Sequence, residues 1–127
     1  MSSNTMNGGS LAYLGDAVWT LLVRKYLVDK GYNRPDDLQK LSVKYVSAKS
    51  QASIFTNLLE KSFFTSEEIE IYKRGRNYKS GTVPKNTDVQ IYRVSTGFEA
   101  IIGYWYVENK NDRIEQLWEK VKTTMED

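Results

Sequence analysis

The chain has no cysteine and no histidine among its 127 residues. The first absence excludes disulfides and thiol nucleophiles, the second excludes imidazole acid–base catalysis, and together they remove the usual zinc ligand sets. Any catalysis must therefore run on carboxylates, lysine, tyrosine or a metal-activated water. No apolar stretch approaches the roughly 20 residues that a bilayer span needs. The first ten residues carry no basic side chain and no apolar core of a signal sequence, so residues 1–10 read as a flexible, polar lead-in. What remains, residues 11–127, is the length of one domain. The whole chain's 40% hydrophobic and 27% charged content is that of a soluble globular protein. The lack of cysteine is compatible with a cytoplasmic location.

Apolar residues recur at helical spacing nearly throughout, which predicts an all-α fold. Leu11, Leu14, Val18, Leu21 and Leu22 define a first helix from Leu11 to about Lys30, with Ser10 as N-cap and Gly31 as a left-handed stop. Pro35 opens a second helix that ends near Val46, its inner face formed by Leu38, Leu41 and Tyr45. Ser47 caps a third, carrying Ala52, Ile54, Phe55, Leu58 and Leu59 inward, with Phe63 and Phe64 in the connection after it. Thr65-Ser66-Glu67-Glu68 has the form of a capping box and starts a fourth helix, acidic at its beginning and basic at its end. Residues 77–87, which include Gly81 and Pro84, form the one long loop, and a loop of that length often binds something. A helix from about Asp88 to Val107 and an amphipathic one from Asn111, with Ile114, Leu117, Trp118 and Val121, complete the chain.

Two acids stand apart from the rest. Asp16 is the one charged residue between Met1 and Val23, and Glu99 the one charged residue between Val94 and Val107. The neighbours of Asp16 at helical spacing are Ala12, Tyr13, Trp19 and Thr20; those of Glu99 are Ser95, Thr96, Ile102 and Gly103. Nothing on its own helix neutralises either carboxylate. Each could be paired with an arginine from another element, but an unpaired buried carboxylate is costly. If both helices are central, the two acids can converge on a hard divalent cation, for which Mg²⁺ is the usual choice, and such an ion can activate water against a phosphoester. Gly15 and Gly103 adjoin these acids, and glycine inside a helix points to close helix approach or tight packing.

Charge is also unevenly placed. Lys73, Arg74, Arg76, Lys79, Lys85 and Arg93 face a single acid, Asp88, within residues 73–93, while the rest of the chain has an acidic excess. A charge run is more often a solvated face than a binding surface. Interleaved Ser, Thr and Asn side chains shift the balance toward a polyanion, because phosphate and 2′-hydroxyl contacts on an RNA duplex use this mixture, whereas single strands favour aromatic stacking platforms.

The segment Leu11-Ala12-Tyr13-Leu14-Gly15-Asp16-Ala17-Val18 resembles the signature helix of the ribonuclease III family. Phe98-Glu99-Ala100-Ile101-Ile102-Gly103 is similar to that family's later acidic helix, and Val46-Ser47-Ala48-Lys49-Ser50 to a segment between them. The resemblance runs from Leu11 to the last helix. The short chain and the segment from Arg74 to Arg93 look most like the family's compact bacterial branch, which lacks a double-stranded-RNA-binding domain. The resemblance implies a helical, homodimeric endonuclease domain that cuts double-stranded RNA with Mg²⁺, for which Mn²⁺ can substitute, leaving 5′-phosphate and 3′-hydroxyl ends with short 3′ overhangs. It further implies maturation of the large-subunit (23S) ribosomal RNA precursor, with a ribosomal protein as a candidate for presenting that substrate.

One departure matters. The wider family normally has acids at the positions of Ala12 and Thr96, and side chains four before Asp16 or three before Glu99 share their helical faces. A two-metal clamp usually needs such bridging carboxylates, so one firm ion is expected here. Asp16 and Glu99 are therefore the candidate catalytic and metal-binding residues. Lys73, Arg74, Arg76, Lys79 and Lys85 are candidates for RNA backbone contacts, with Asn77, Asn86 and Thr87 as groove readers. The first helix is apolar almost all round, and Val23 and Leu27, on the side of Asp16, suggest a two-fold dimer interface. Competing readings are a non-catalytic RNA-binding or ribosome-assembly factor and a metal enzyme acting on small phosphorylated substrates.

Overall fold

Among the described residues six α-helices follow one another: α1 Gly8–Asp29, α2 Pro35–Val46, α3 Ala48–Glu60, α4 Ser66–Asn77, α5 Val89–Val107 and α6 Asn111–Glu126. This computed structural model describes residues 2–79 and 83–126, without the side chain of Glu126. Gly81 of the long loop lies outside the described residues. Local signals account for most helix ends. Pro35 stands at the first turn of α2, and the Ser47 hydroxyl accepts the Ser50 N–H at the start of α3. Thr65 and Glu68 form the reciprocal capping box of α4, and the Asp88 carboxylate accepts the N–H groups of Gln90 and Ile91. Gly31 takes the left-handed conformation, φ 101°, just past α1.

Helix α5 is the axis of the molecule. Its residues from Ala100 to Trp105 are buried on every side, as they must be in a helix enclosed by α1, α3, α4 and α6. The most extensive interface is with α1. Two glycines let the backbones meet: a Cβ on Gly15 would sit 1.8 Å from the Glu99 carbonyl oxygen, and one on Gly103 would sit 1.9 Å from that of Leu11. Each contact falls four residues from the other on both helices, so α1 and α5 are locked in register as well as in distance. An aromatic cluster ties α1 to α5, α6 and α2. Trp19 meets Phe98 and Trp118 edge-on, and its indole N–H donates to the Tyr45 carbonyl at 2.9 Å, fastening α1 to the end of α2.

The structure departs from the sequence expectations in three places here. First, α1 begins at Gly8, not Leu11, with Asn7 rather than Ser10 as the capping side chain. Residues 3–7 do not trail away as a lead-in. Ser3 is buried and bonds Glu108 through its hydroxyl at 2.6 Å, and the Arg74 guanidinium donates to the carbonyls of Ser3 and Met6. Such partners come from distant elements and leave no local trace. Second, Val23 and Leu27 are fully or almost fully buried within the single chain. The exposed apolar stripe of α1 is instead Tyr13, Leu21 and Val28, each more than half exposed. Third, Leu59 is largely exposed, because α3 turns Phe55 and Leu58 inward.

Candidate active site

A cleft of about 750 Å³ opens between the N-terminal half of α1, the end of α4 and the first half of α5. Asp16 and Glu99 both line it. Gly15 rests against the Glu99 carbonyl, so the next side chain on α1 lies beside the Glu99 side chain, near enough for the Asp16 carboxyl to act on that of Glu99. Neither takes part in an ion pair among the described residues. Burial, then the hydrogen bond and charge of Asp16, push the Glu99 carboxyl from 4.5 up to about 9. A carboxyl raised in this way ionises more readily once a cation arrives beside it, so the site is suited to one.

The donors suit a hard divalent ion. They are carboxylate oxygens at a wet cleft, with no soft ligand, and they bring two negative charges to one point. Among the described residues no group of three or more acids is placed to hold a metal ion. Ala12 and Thr96 face the same cleft, but Ala12 has no donor, and the Thr96 hydroxyl turns back to the Tyr92 carbonyl at 2.9 Å. Two acids, completed by water and substrate oxygens, match an ion that keeps most of its hydration shell.

The basic residues divide. Arg76 and Lys79 line the cleft beside the acids, as a surface for the phosphates of a bound polyanion would require. Lys73 is exposed on α4 and lies 3.4 Å from Glu70. Asn77 ends α4 and accepts from the Arg76 Nε at 3.1 Å. Lys85, Asn86 and Thr87 lie in the loop outside the cleft lining, with Asn86 in a left-handed turn at φ 63°. Arg74 is not part of the cleft lining; its guanidinium donates to the Ser3 and Met6 carbonyls and so holds the N-terminal segment.

Three features were not anticipated. Arg93, counted in the basic stretch but not chosen as a contact, lines the cleft one turn before Thr96; its helical register with Thr96 was the available signal. Tyr13, Tyr78 and Tyr92 also line the cleft, with Tyr78 lying over Gly9, where any side chain would collide with the ring. Gln51, at the start of α3, donates from Nε2 to Glu99 Oε2 at 3.3 Å, and nothing in the local sequence points to it.

The architecture and the motif positions agree with comparisons to known proteins. The family model for the Ribonuclease III domain matches residues 9–110. Mini-ribonuclease 3 of Staphylococcus aureus is 51% identical over 118 residues, 93% of this chain and 88% of its own length. Mini-ribonuclease 3 of Streptococcus pneumoniae is 47% identical over 90% of this chain and 89% of its own. A crystal structure of a Fusobacterium nucleatum protein superposes with a TM-score of 0.84 at 36% identity, over 94% of both chains. The chain belongs to the ribonuclease III family, in its Mini-ribonuclease 3 branch, and is an endoribonuclease.

Proposed function

We propose that the chain cuts double-stranded RNA, with Asp16 and Glu99 as catalytic carboxylates that hold one Mg²⁺, or Mn²⁺ in its place. The observation that carries this reading is the approach of the two carboxyl groups to each other in one cleft, with no cationic side chain among the described residues paired to either. When bound, the cation supplies positive charge for the developing phosphate transition state and lowers the pKa of water. Asp16, exposed at the mouth, and Glu99, half-buried behind it, orient that charge toward an incoming phosphodiester. Arg76, Lys79 and Arg93 draw the duplex backbone across the same opening. Lys73, Lys85, Asn86 and Thr87, exposed or half-exposed on α4 and the loop, extend that surface to phosphates further along.

The active form is a homodimer joined through the exposed stripe of Tyr13, Leu21 and Val28. These residues recur at spacings that keep one face of α1, and Tyr13 also lines the cleft, so a two-fold interface there would set two sites beside each other. Its duties would be cytoplasmic, in maturing the 23S ribosomal RNA precursor to leave 5′-phosphate ends, with a ribosomal protein helping to present the substrate. The support for this duty is membership of the Mini-ribonuclease 3 branch.

The test is cleavage of a long RNA duplex and of a ribosomal RNA precursor, with and without Mg²⁺, by the protein and by Asp16→Asn. Cutting that needs Mg²⁺ and vanishes in Asp16→Asn, while duplex retardation on a gel persists, supports the assignment. Retardation without any cutting by the unaltered protein would favour a purely RNA-binding factor.

A further inference from the structure

We propose that Gln51 is a positioning residue of the reaction: its side-chain amide holds the Glu99 carboxylate in place for the cation without neutralising it. This rests on the assignment of Asp16 and Glu99 as the metal-binding pair.

Gln51 is 1% exposed, the most deeply buried of the polar side chains in the core. Its Nε2 donates at 3.1 Å to the Val46 carbonyl at the end of α2 and at 3.3 Å to Glu99 Oε2 on α5. Both partners are acceptors, which settles the amide orientation: the opposite flip would set Oε1 against two oxygens. The remaining atom, Oε1, is buried without a hydrogen-bond partner. A primary amide kept in that condition costs stability that leucine or methionine, of similar volume, would not. Packing alone therefore does not account for the residue.

Its chemistry fits the site better. Lysine or arginine at this place would orient Glu99 equally well, but would cancel the charge that attracts a metal. An amide donor fixes one carboxylate oxygen and leaves the negative charge intact, as the outer partners of metal ligands generally do. The tie to Val46 anchors that donor to the α2–α3 corner, so Glu99 is positioned by an element remote from its own helix. With alanine and threonine at 12 and 96, no further acid at those positions helps to hold the ion, and the placing of Glu99 carries more of the burden.

The test uses Gln51→Leu and Gln51→Met, two apolar replacements of different shape, beside Glu99→Gln. Mn²⁺ affinity is read on the whole protein without RNA, by water proton relaxation, together with kcat, duplex KM, Mg²⁺ dependence and thermal stability. The expected result is an about tenfold or greater loss of Mn²⁺ affinity and an equal rise in the Mg²⁺ needed for half-maximal cleavage, with kcat restored at high Mg²⁺ and duplex KM unchanged. The proposal is overturned if both variants keep the wild-type metal affinity and Mg²⁺ dependence. It is equally overturned if both lose only thermal stability, or fail to fold, because the amide would then serve the α2–α3 corner alone. Should Glu99→Gln itself keep Mn²⁺ binding and cleavage, the site assignment falls with it. If Glu99→Gln abolishes both while the Gln51 variants match wild type, only the present inference fails.

Discussion

Glu68 and Glu99 lie on neighbouring helices, both withdrawn from water, and their carboxyl groups are displaced in opposite directions. For Glu68, burial by itself would raise the pKa. Hydrogen bonds from Arg113, the Thr65 N–H and the Trp105 indole, with the charge of Arg113, outweigh burial and hold it below the ordinary 4.5. For Glu99 burial acts in the same direction, but its close neighbour is another acid, and the pKa rises to about 9. The first site is complete: Arg113 reaches Glu68 at 2.7 and 2.9 Å, stacks over Phe63 and also donates to the Phe63 carbonyl. The second is unfinished until something positive arrives. The same residue type is a structural bolt in one place and, in the function proposed above, a ligand in the other, and the partners decide which.

Exchanging each glutamate for its neutral amide should separate the two roles. Glu99→Gln is expected to lower kcat by at least about 10³-fold, roughly 4 kcal/mol of lost transition-state stabilisation, while leaving the thermal midpoint unchanged or higher because a repulsion is removed. Glu68→Gln is expected to do the reverse. It leaves Arg113 without its anion and costs about 3 kcal/mol in urea denaturation, the low end for breaking a buried pair because Arg113 is partly exposed, yet retains most activity below the melting range. Equal effects of the two substitutions on both readouts would erase the distinction.

The pH dependence should sharpen the contrast. Glu68 has a depressed folded pKa, so its contribution is fully present above 4.5 and disappears as pH falls through the lower folded value. The stability advantage of wild type over Glu68→Gln should therefore shrink below pH 4.5. Glu99 has a raised folded pKa, so in chelator the fold favours its protonated form, and stability is lost progressively as pH climbs from 4.5 to about 9. Under those conditions Glu99→Gln should gain on wild type across that interval. Urea midpoints of the three proteins in EDTA from pH 3 to 9 read both slopes, and slopes of the same sign would contradict the comparison.

The smallest effect concerns the cleft walls. Lys79→Ala should raise the KM for duplex RNA a few-fold at low salt and flatten its salt dependence by about one phosphate contact, with kcat little changed. Arg74→Ala should act through stability instead, since its guanidinium is occupied by Ser3 and Met6. A duplex-binding defect in Arg74→Ala at full folding would return that residue to the RNA surface.

How far these roles can be read along the chain depends on the range of the interactions that set them. Pro35, Ser47 and the Thr65–Glu68 box act within a turn of the helix they begin, and α2, α3 and α4 start where those residues indicate. Asp16 and Glu99 were legible because each is the lone charge within a long uncharged stretch of its helix, and Gly15 and Gly103 marked the close approach. The start of α1 was not legible, since Gly8 and Gly9 are poor helix formers and their support comes from Arg74 and Tyr78 across the fold. Neither was the fate of Arg74 or of Val23 and Leu27, because a charge run or an apolar stripe does not say which way it faces. Gln51 carried no signal at all.

The order of amino acids by itself determined the number and type of helices, the all-oxygen chemistry and the pair of acids, because caps, periodicity and composition act over a few bonds. Tertiary structure alone decided that those acids approach each other, that an amide from a third helix holds one of them, and that Arg74 is a fastener while Arg93 lines the cleft. These outcomes depend on direction and distance between segments far apart in the chain, and only backbone contact through glycine between α1 and α5 brings them within reach.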